Sequence, residues 1–408
     1  MNSSFSDNQK NSPIAGVIME CNPFHDGHRY LLQKAREVTG ADAVIVVLSG
    51  DFAQRGIPTV YPMEQRVRDL LEGGADLVLE LPVCCATAGA EYFARGGVHI
   101  LAQTGIVTDL VFGSETGDLT ALTEQAQFLL HEPEDFRALL RRYTAEGLTF
   151  PAARTRAAAE CSAGIALSDS ANDVLAVEYL RSLWKRKEQE LLSPAPHPVL
   201  RIRTASASER RSILRQENPA SGMFPDDFSG ILLGRLLSIL QSEKEAFSDY
   251  AGVSPDLANR IQRLLPSFVS WTQFCELLKT RNLTYTSVSR ALTHLLLGIR
   301  EEDLSLCAPS YARVLGCRRE ALPLIGEIQR RFHPEDGPLA STFLICRKSD
   351  ADTLMSLPGF SHCRRSLSLD LHAEKTYELA RRLKAGEKTA DETAAPASCD
   401  FARPFLKI

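Results

Sequence analysis

MECNPFHDGHRYL, residues 19–31, is the stretch on which the reading of this chain turns. Ahead of it stands IAGVIM (14–19), a continuous apolar run with the β-branched content of a strand buried on both faces. Behind it, residues 27–38 have amphipathic helical spacing. Between the two lie an Asn-Pro turn, Asn22-Pro23, and two histidines three positions apart, His25 and His28, around Gly27. A helix N-terminus presents unpaired N–H groups and partial positive charge, which suits phosphate. Gly27 lets that backbone approach a ligand closely. The imidazoles can donate N–H bonds to phosphate oxygens whose charge grows as pyrophosphate leaves. Taken alone, the pair also fits two turn histidines that merely cap a helix. Its position straight after the first strand of an α/β unit favours the phosphate reading.

Working outward, three more apolar runs follow at helix-length intervals: AVIVVL (43–48), LVLEL (77–81) and VTDLVF (107–112). The amphipathic stretches between them cover 63–72 and 90–103. Strand alternating with helix implies right-handed crossovers and a parallel, Rossmann-like sheet, with ligands beyond its carboxyl ends. The loops leaving those ends, CNPFHDGH, SGDFAQRG, LPVCCATAGAE and FGSETGD, are rich in Gly, His, Arg and Asn. Past residue 120 helices are expected at 121–130, 136–145 and 171–187, the last with Asn172 and Asp173 at its start. SPAPHPVLRIR (193–203) reads as a linker into one more strand, and SASERRSILR (206–215) as a helix start. The domain expectation is a polar leader (1–13), an α/β domain (14–220), a mainly helical C-terminal region (226–384) and a loose tail (385–408).

Composition narrows the function. With 408 residues, 44% hydrophobic and 24% charged, the chain has material for a large core and two or three domains. No apolar run approaches the roughly 18 residues of a membrane span. The polar N-terminus has no hydrophobic segment of the secretory kind. Ten cysteines include no Cys-x-x-Cys pair, and Cys84-Cys85 are adjacent. This suits a reduced cytoplasmic protein without a bound metal. The net charge of −5 gives no general attraction to nucleic acid or membrane. Residues 251–331 are locally basic, with eleven Lys and Arg against seven Asp and Glu. Arg281, Arg290 and Arg300 there are candidate RNA phosphate contacts; the bland reading is a solvated face.

GVIMECNPFHDGHRYLLQKA (16–35) resembles the His-x-Gly-His signature of the nucleotidyltransferase superfamily. Taken with SGDFAQRG (49–56), GGADLVLELP (73–82), AEYFARGGV (90–98), FGSE (112–115) and SANDVLAVEYL (170–180), it is similar to the tRNA(Met) cytidine acetate ligase family. The likeness continues through RNLTYTSVSRALTHLLLGI (281–299) and YARVLG (311–316), nearly the whole chain. It implies that ATP, as its Mg²⁺ complex, activates acetate as acetyl-adenylate. The acetyl group then passes to N4 of the wobble cytidine of elongator tRNA(Met).

By the same resemblance, Ile18, Met19, Glu20, Cys21, Asn22, Pro23, Phe24, His25, Asp26, Gly27, His28, Arg29, Tyr30 and Leu31 form the ATP site, with His25 and His28 at the phosphates. Gly113 lies against the nucleotide, Asn172 hydrogen-bonds it, and Arg201 contacts it, with Arg203 a rival for that role. Ser206, Ser208 and Arg211 match a second phosphate motif, Ser-x-Ser-x-x-Arg, whose hydroxyls and guanidinium clamp phosphates opposite the histidines. Four positions depart from the family pattern: Cys21 for Tyr, Asp26 and Asp51 for Asn, and Arg210 for an apolar residue. Asp51 adds negative charge near the phosphates unless it faces Mg²⁺ or Arg55.

Other residues carry a sharp and a bland reading. Gln54 and Arg55 recognise a carboxylate or α-phosphate, or Arg55 is a solvated loop residue. Glu91 reads as an N-terminal helix charge rather than a catalytic base, Trp184 and Trp271 as core rather than base-stacking platforms, and Cys21 as a small buried filler rather than a nucleophile. Two alternatives to the ligase stand beside it. One is a small-molecule adenylyl- or cytidylyltransferase, which the long helical half argues against. The other is a non-catalytic ATP-sensing RNA-binding protein, motivated by the departures.

Overall fold

The computed structural model describes residues 12–202, 204–306, 308, 310–333, 342–358, 360, 363–386 and 405–408. Most of the expected leader and tail, and Arg203, lie outside the described residues.

The strands are β1 (Ile14–Met19), β2 (Ala43–Ser49), β3 (Phe52–Ala53), β4 (Ile57–Pro58), β5 (Leu77–Leu81), β6 (Asp109–Ser114), β7 (Ala195–Leu200), β8 (Tyr311–Cys317), β9 (Phe343–Ile345) and β10 (Leu406–Lys407). The main sheet runs β10-β8-β5-β2-β1-β6-β7. Its β5-β2-β1-β6-β7 portion is wholly parallel. Sequence order therefore reverses between β1 and β6, and a crevice opens beyond the carboxyl ends of those two strands. β3 and β4 form a separate antiparallel hairpin in the loop after β2.

The helices in the N-terminal half are α1 (Asp26–Thr39), α2 (Met63–Glu72), α3 (Val83–Ala86), α4 (Ala90–Gln103), α5 (Leu119–Leu130), α6 (Glu134–Ala145), α7 (Phe150–Glu160), α8 (Ala171–Glu188) and α9 (Ala207–Glu217). Those that follow are α10 (Ser229–Leu240), α11 (Pro255–Leu264), α12 (Trp271–Leu278), α13 (Tyr285–Leu297), α14 (Leu322–Arg330), α15 (Lys348–Ser356) and α16 (Cys363–Ala385).

Side chains alternate across the sheet because strand residues point to opposite faces. Val17, Met19, Val44, Val46 and Leu48 pack with Leu32, Ala35 and Leu70 from α1 and α2. Ile18, Ile45, Val47, Leu77 and Leu79 pack on the other face with α4, α8 and the helical half. Both faces are covered, which is why these strands read as unbroken apolar runs. The strand expected at 107–112 lies two residues later, because β7 pairs with it residue for residue from Asp109 to Ser114.

The C-terminal half is not helical throughout. It adds β8 to the sheet antiparallel to β5, with β9 and β10 both pairing β8. Arg313 breaks the apolar run of β8, which hides it as a strand in sequence. Its guanidinium is buried against Glu80 of β5 (2.7 Å) and Glu374 of α16 (3.2 Å). Nearby, Asp370 of α16 accepts the Val83 N–H at 2.7 Å and the Tyr311 hydroxyl at 3.0 Å. Burial pushes the carboxyls of both Glu80 and Asp370 above the usual carboxylate range. No helix among the described residues is long and apolar enough to cross a membrane.

Candidate functional site

A cleft of about 420 Å³ opens at the strand-order reversal. The end of β1 brings Ile18 and Met19, with Glu20 just after it; the start of α1 brings its cap His25 with Gly27, His28, Tyr30 and Leu31; the β3–β4 hairpin brings Gln54 and Arg55. From the far side come Gly113 near the end of β6, Glu115 just after it, Asn172 of α8, Arg201 after β7, and Ser206, Ser208 and Arg211 at the start of α9. Phe93, Phe112, Leu175, Tyr179 and Val199 supply an apolar wall.

The two histidines cap their own helix and each other. His25 Nδ1 accepts the Gly27 N–H at 3.0 Å, and His28 Nδ1 accepts the His25 N–H at 3.2 Å. The rings stack, with centroids 3.9 Å apart. With Nδ1 accepting in both, the proton of each neutral ring sits on Nε2, so each ring keeps one donor for a ligand. The capping reading and the ligand reading thus use opposite nitrogens of the same rings. A Cβ on residue 27 would stand 2.8 Å from His25 Cε1, so this arrangement requires Gly27.

Burial and the nearby Arg210 and Arg201 lower His25 to about 4; burial, His25 and Arg201 lower His28 to about 3. Both values lie below the roughly 6.5 of an unfolded histidine. Between those limits the unfolded chain binds protons that the folded one refuses. The pair's contribution to stability is therefore complete above pH ~6.5 and lost as pH falls through about 4 and 3. The buried carboxylates act in the opposite sense, but equally with or without the histidines. A variant carrying both His25→Asn and His28→Asn is expected to lose less stability than the parent between pH 7 and 4.5, measured by urea midpoints. An equal loss in both proteins would contradict these assignments.

Not every residue of the 18–31 stretch faces the cleft. Cys21 is buried, its thiol 3.7 Å from Met19 Sδ and pushed up by burial. Asn22 Oδ1 accepts the Val60 N–H at 2.9 Å. Pro23 follows a cis peptide bond, Phe24 stacks on His28, and Arg29 lies over the Phe24 ring. Asp26 faces Arg210 at 3.7 Å, so two departures from the family pattern meet each other. Asp51 faces neither Arg55 nor the cleft. It is buried, accepts the Met63 N–H at the start of α2 (2.7 Å), and lies 3.9 Å from Arg66. None of the four departures lines the cleft.

Arg66, fully buried, draws the ends of β1 and β2 together. Its guanidinium donates to the carbonyls of Glu20 (2.8 Å), Ser49 (3.0 Å), Gly50 and Tyr61 (3.2 Å). On the far wall, Glu115 accepts from Asn172 Nδ2 (2.6 Å), Arg201 (3.1 Å), the Ser170 hydroxyl (3.0 Å) and the Asp173 N–H (3.0 Å). Sequence reasoning assigned Glu115 no role, although its place after the fourth strand was the available signal. Ser206 caps α9 by accepting the Glu209 N–H at 3.1 Å, and Arg211 donates to Asn22 O at 2.9 Å, tying α9 to the His-bearing turn.

The three arginines expected at RNA sit in different surroundings. Arg281 is exposed in the loop before α13. Arg300 lies over the Tyr250 ring and 3.7 Å from Glu245. Arg290 donates to Gln54 O at 3.1 Å, and Ser289 of the same helix donates to Gly56 O. α13 therefore holds the hairpin that forms one cleft wall. Gly56 has φ +65°, and a Cβ there would lie 2.3 Å from the Arg290 backbone. Gly56→Ala is expected to cost about 1–3 kcal/mol in denaturant unfolding. It is also expected to speed hydrogen exchange at residues 52–58; unchanged exchange would contradict the contact.

The family model for the HIGH nucleotidyl transferases matches residues 13–222 and 203–392. The tRNA(Met) cytidine acetate ligase of Acetivibrio thermocellus is 31% identical over 93% of this chain and 98% of its own length. That of a Thermoanaerobacter species is 32% identical over 97% and 100%. Among solved structures, Thermotoga maritima TmcAL bound with alpha-thio ATP superposes with a TM-score of 0.83 at 26% identity, over 97% of this chain and all of that one.

Proposed function

Because this chain belongs to the tRNA(Met) cytidine acetate ligase family, we propose that it is an ATP-dependent ligase that activates acetate and acetylates N4 of the wobble cytidine of elongator tRNA(Met). One observation carries the reading: two stacked imidazoles with only Nε2–H left to give, facing the same cleft as a Ser-x-Ser-x-x-Arg helix start.

In the first step an acetate oxygen attacks the α-phosphorus of ATP and pyrophosphate leaves. His25, His28 and the N-terminus of α1 stabilise the charge that develops on the leaving phosphates. Ser206, Ser208 and Arg211 clamp those phosphates from α9. Gly113, Asn172 and Arg201 hold the nucleoside beside the apolar wall, with Glu115 fixing Asn172 and Arg201 in place. ATP enters as its Mg²⁺ complex, the ion carried by the triphosphate. Among the described residues no three His, Cys, Asp or Glu side chains gather to hold a metal ion. In the second step the cytidine amine attacks the acetyl carbonyl and AMP leaves. The binding site supplies alignment in both steps. Residues 14–220 hold the nucleotide and 226–384 present the RNA. Arg281 and Arg300 contact RNA phosphates, while Arg290 acts by holding the hairpin.

The test is AMP formation by purified protein, ATP, acetate and tRNA(Met), with mass spectrometry of the digested tRNA. Acetate-dependent AMP and acetylated cytidine are the expected results. ATP hydrolysis indifferent to acetate and tRNA overturns the proposal.

A further inference from the structure

Two carboxylates line the cleft, and they are held differently. Glu115 has donors at both oxygens, from Asn172, Arg201, Ser170 and Asp173. Glu20 accepts one hydrogen bond, from the Gln54 N–H to Oε1. No donor among the described residues reaches its Oε2. Next to it, the side-chain amide of Gln54 is buried at Nε2 and has no acceptor among the described residues. A buried donor without a partner is left desolvated and unpaired, a deficit that a ligand oxygen or nitrogen makes good. One wall of the cleft thus offers a half-used carboxylate acceptor beside an unused amide donor.

Both groups are fixed from behind. The Glu20 carbonyl is held by Arg66, and the Gln54 carbonyl by Arg290 of α13. Arg211 and Arg290 feel the charge of Glu20 yet form no ion pair with it among the described residues. The histidines and Ser206, which face phosphate in the proposed function, come from other elements: α1 and the start of α9. Glu20 and Gln54 therefore form a distinct part of the wall, built from the end of β1 and the hairpin tip.

Acceptor beside donor is the complement of one nucleobase edge. Cytosine presents an N4–H donor next to the N3 acceptor; uracil presents O4, an acceptor, next to an N3–H donor. Carboxylates accept from cytosine N4 in nucleic-acid recognition generally. We propose that Glu20 and Gln54 form the subsite for the acceptor cytosine, an inference that rests on the ligase reading. Glu20 Oε2 accepts an N4–H, and Gln54 Nε2 donates to N3. The N4 lone pair then forms the C–N bond to the acetyl carbon, and the bond from that carbon to the AMP oxygen breaks. The proton released from N4 passes to the Glu20 carboxylate and on to solvent. Uracil in this subsite sets O4 against the carboxylate, which repels it.

The test uses the full-length protein with Glu20→Gln and Gln54→Ala. Glutamine keeps an oxygen for the Gln54 N–H, so the hairpin contact survives. Two rates are measured: acetate-dependent ATP–pyrophosphate exchange without RNA, and acetyl transfer to tRNA(Met). In Glu20→Gln the ratio of transfer to exchange is expected to fall by about 30-fold or more relative to wild type, since general-base assistance typically contributes ~10²–10⁴-fold. Binding is read separately with anticodon stem-loops carrying cytidine or uridine at the wobble position. Wild type is expected to favour cytidine by about 10-fold, and both variants to lose that preference. An unchanged ratio, or an unchanged cytidine preference, overturns the subsite. If wild type shows no acetate-dependent exchange, the ligase reading itself fails and takes this inference with it. Normal exchange in wild type with unaltered variants sinks the subsite alone.

Discussion

Replacing His25 by asparagine is expected to slow acetate-dependent ATP–pyrophosphate exchange by about 10²–10³-fold while leaving the fold intact. The ring has two jobs on two nitrogens. Nδ1 caps α1 through the Gly27 N–H, and in the proposed reaction Nε2–H is the donor to phosphate. Asparagine can place its oxygen near the position of Nδ1 and is among the best N-cap residues, so stability should stay within about 0.5 kcal/mol. It has nothing to offer where Nε2–H stood. Glutamine reverses the assignment: its amide can reach toward the Nε2 position, but it caps poorly. His25→Gln should therefore cost about 1 kcal/mol of stability and retain more exchange than His25→Asn. Urea midpoints and exchange rates on the two variants separate the roles. Wild-type exchange in His25→Asn would remove the histidine from the chemistry.

The second large effect is expected at Arg66, which touches no cleft surface. Arg66→Ala strands the four carbonyls it serves and leaves Asp51 buried without its cation. Removing one partner from such a buried arrangement costs about 3–5 kcal/mol. Globular domains have only about 5–15 kcal/mol in hand. The variant should unfold at a much lower urea concentration and bind ATP weakly, because the turn leading to His25 loses its anchor at Glu20. Arg66→Lys should fall between, since one ammonium cannot reach donors' targets spread over two strand ends and a loop. A loss below ~1 kcal/mol in Arg66→Ala would show that water or a rearranged neighbour replaces the guanidinium.

Local patterns in the chain were legible because the physics behind them is local. Residues 14–19, 43–49 and 77–81 are buried on both faces, so each strand shows as an unbroken apolar run. His25 and His28 could be read as a pair because a spacing of three at a helix start places their rings side by side. Convergence over long separations was not legible. Glu115 acquires its donors from residues 55 or more positions away, and Arg290 meets Gln54 across 236. The charge of Asp51 could be seen in the sequence, but not that Arg66 and the start of α2 absorb it. Arg313 disguised β8, since its burial depends on two carboxylates contributed by β5 and α16.

The pairing of β5 with β8 has a consequence for synthesis on the ribosome. Some 230 residues separate the two strands, so at about 5–20 residues per second the edge of β5 waits roughly 10–50 s for its neighbour. An uncovered strand edge is a template for aggregation with other nascent chains. Leu-Val-Leu-Glu-Leu carries one charge, Glu80, and a charge within an apolar segment discourages such misassembly. When β8 emerges, Arg313 arrives opposite that carboxylate. The residue that guards the growing polypeptide is thereby the one that recognises its proper partner strand.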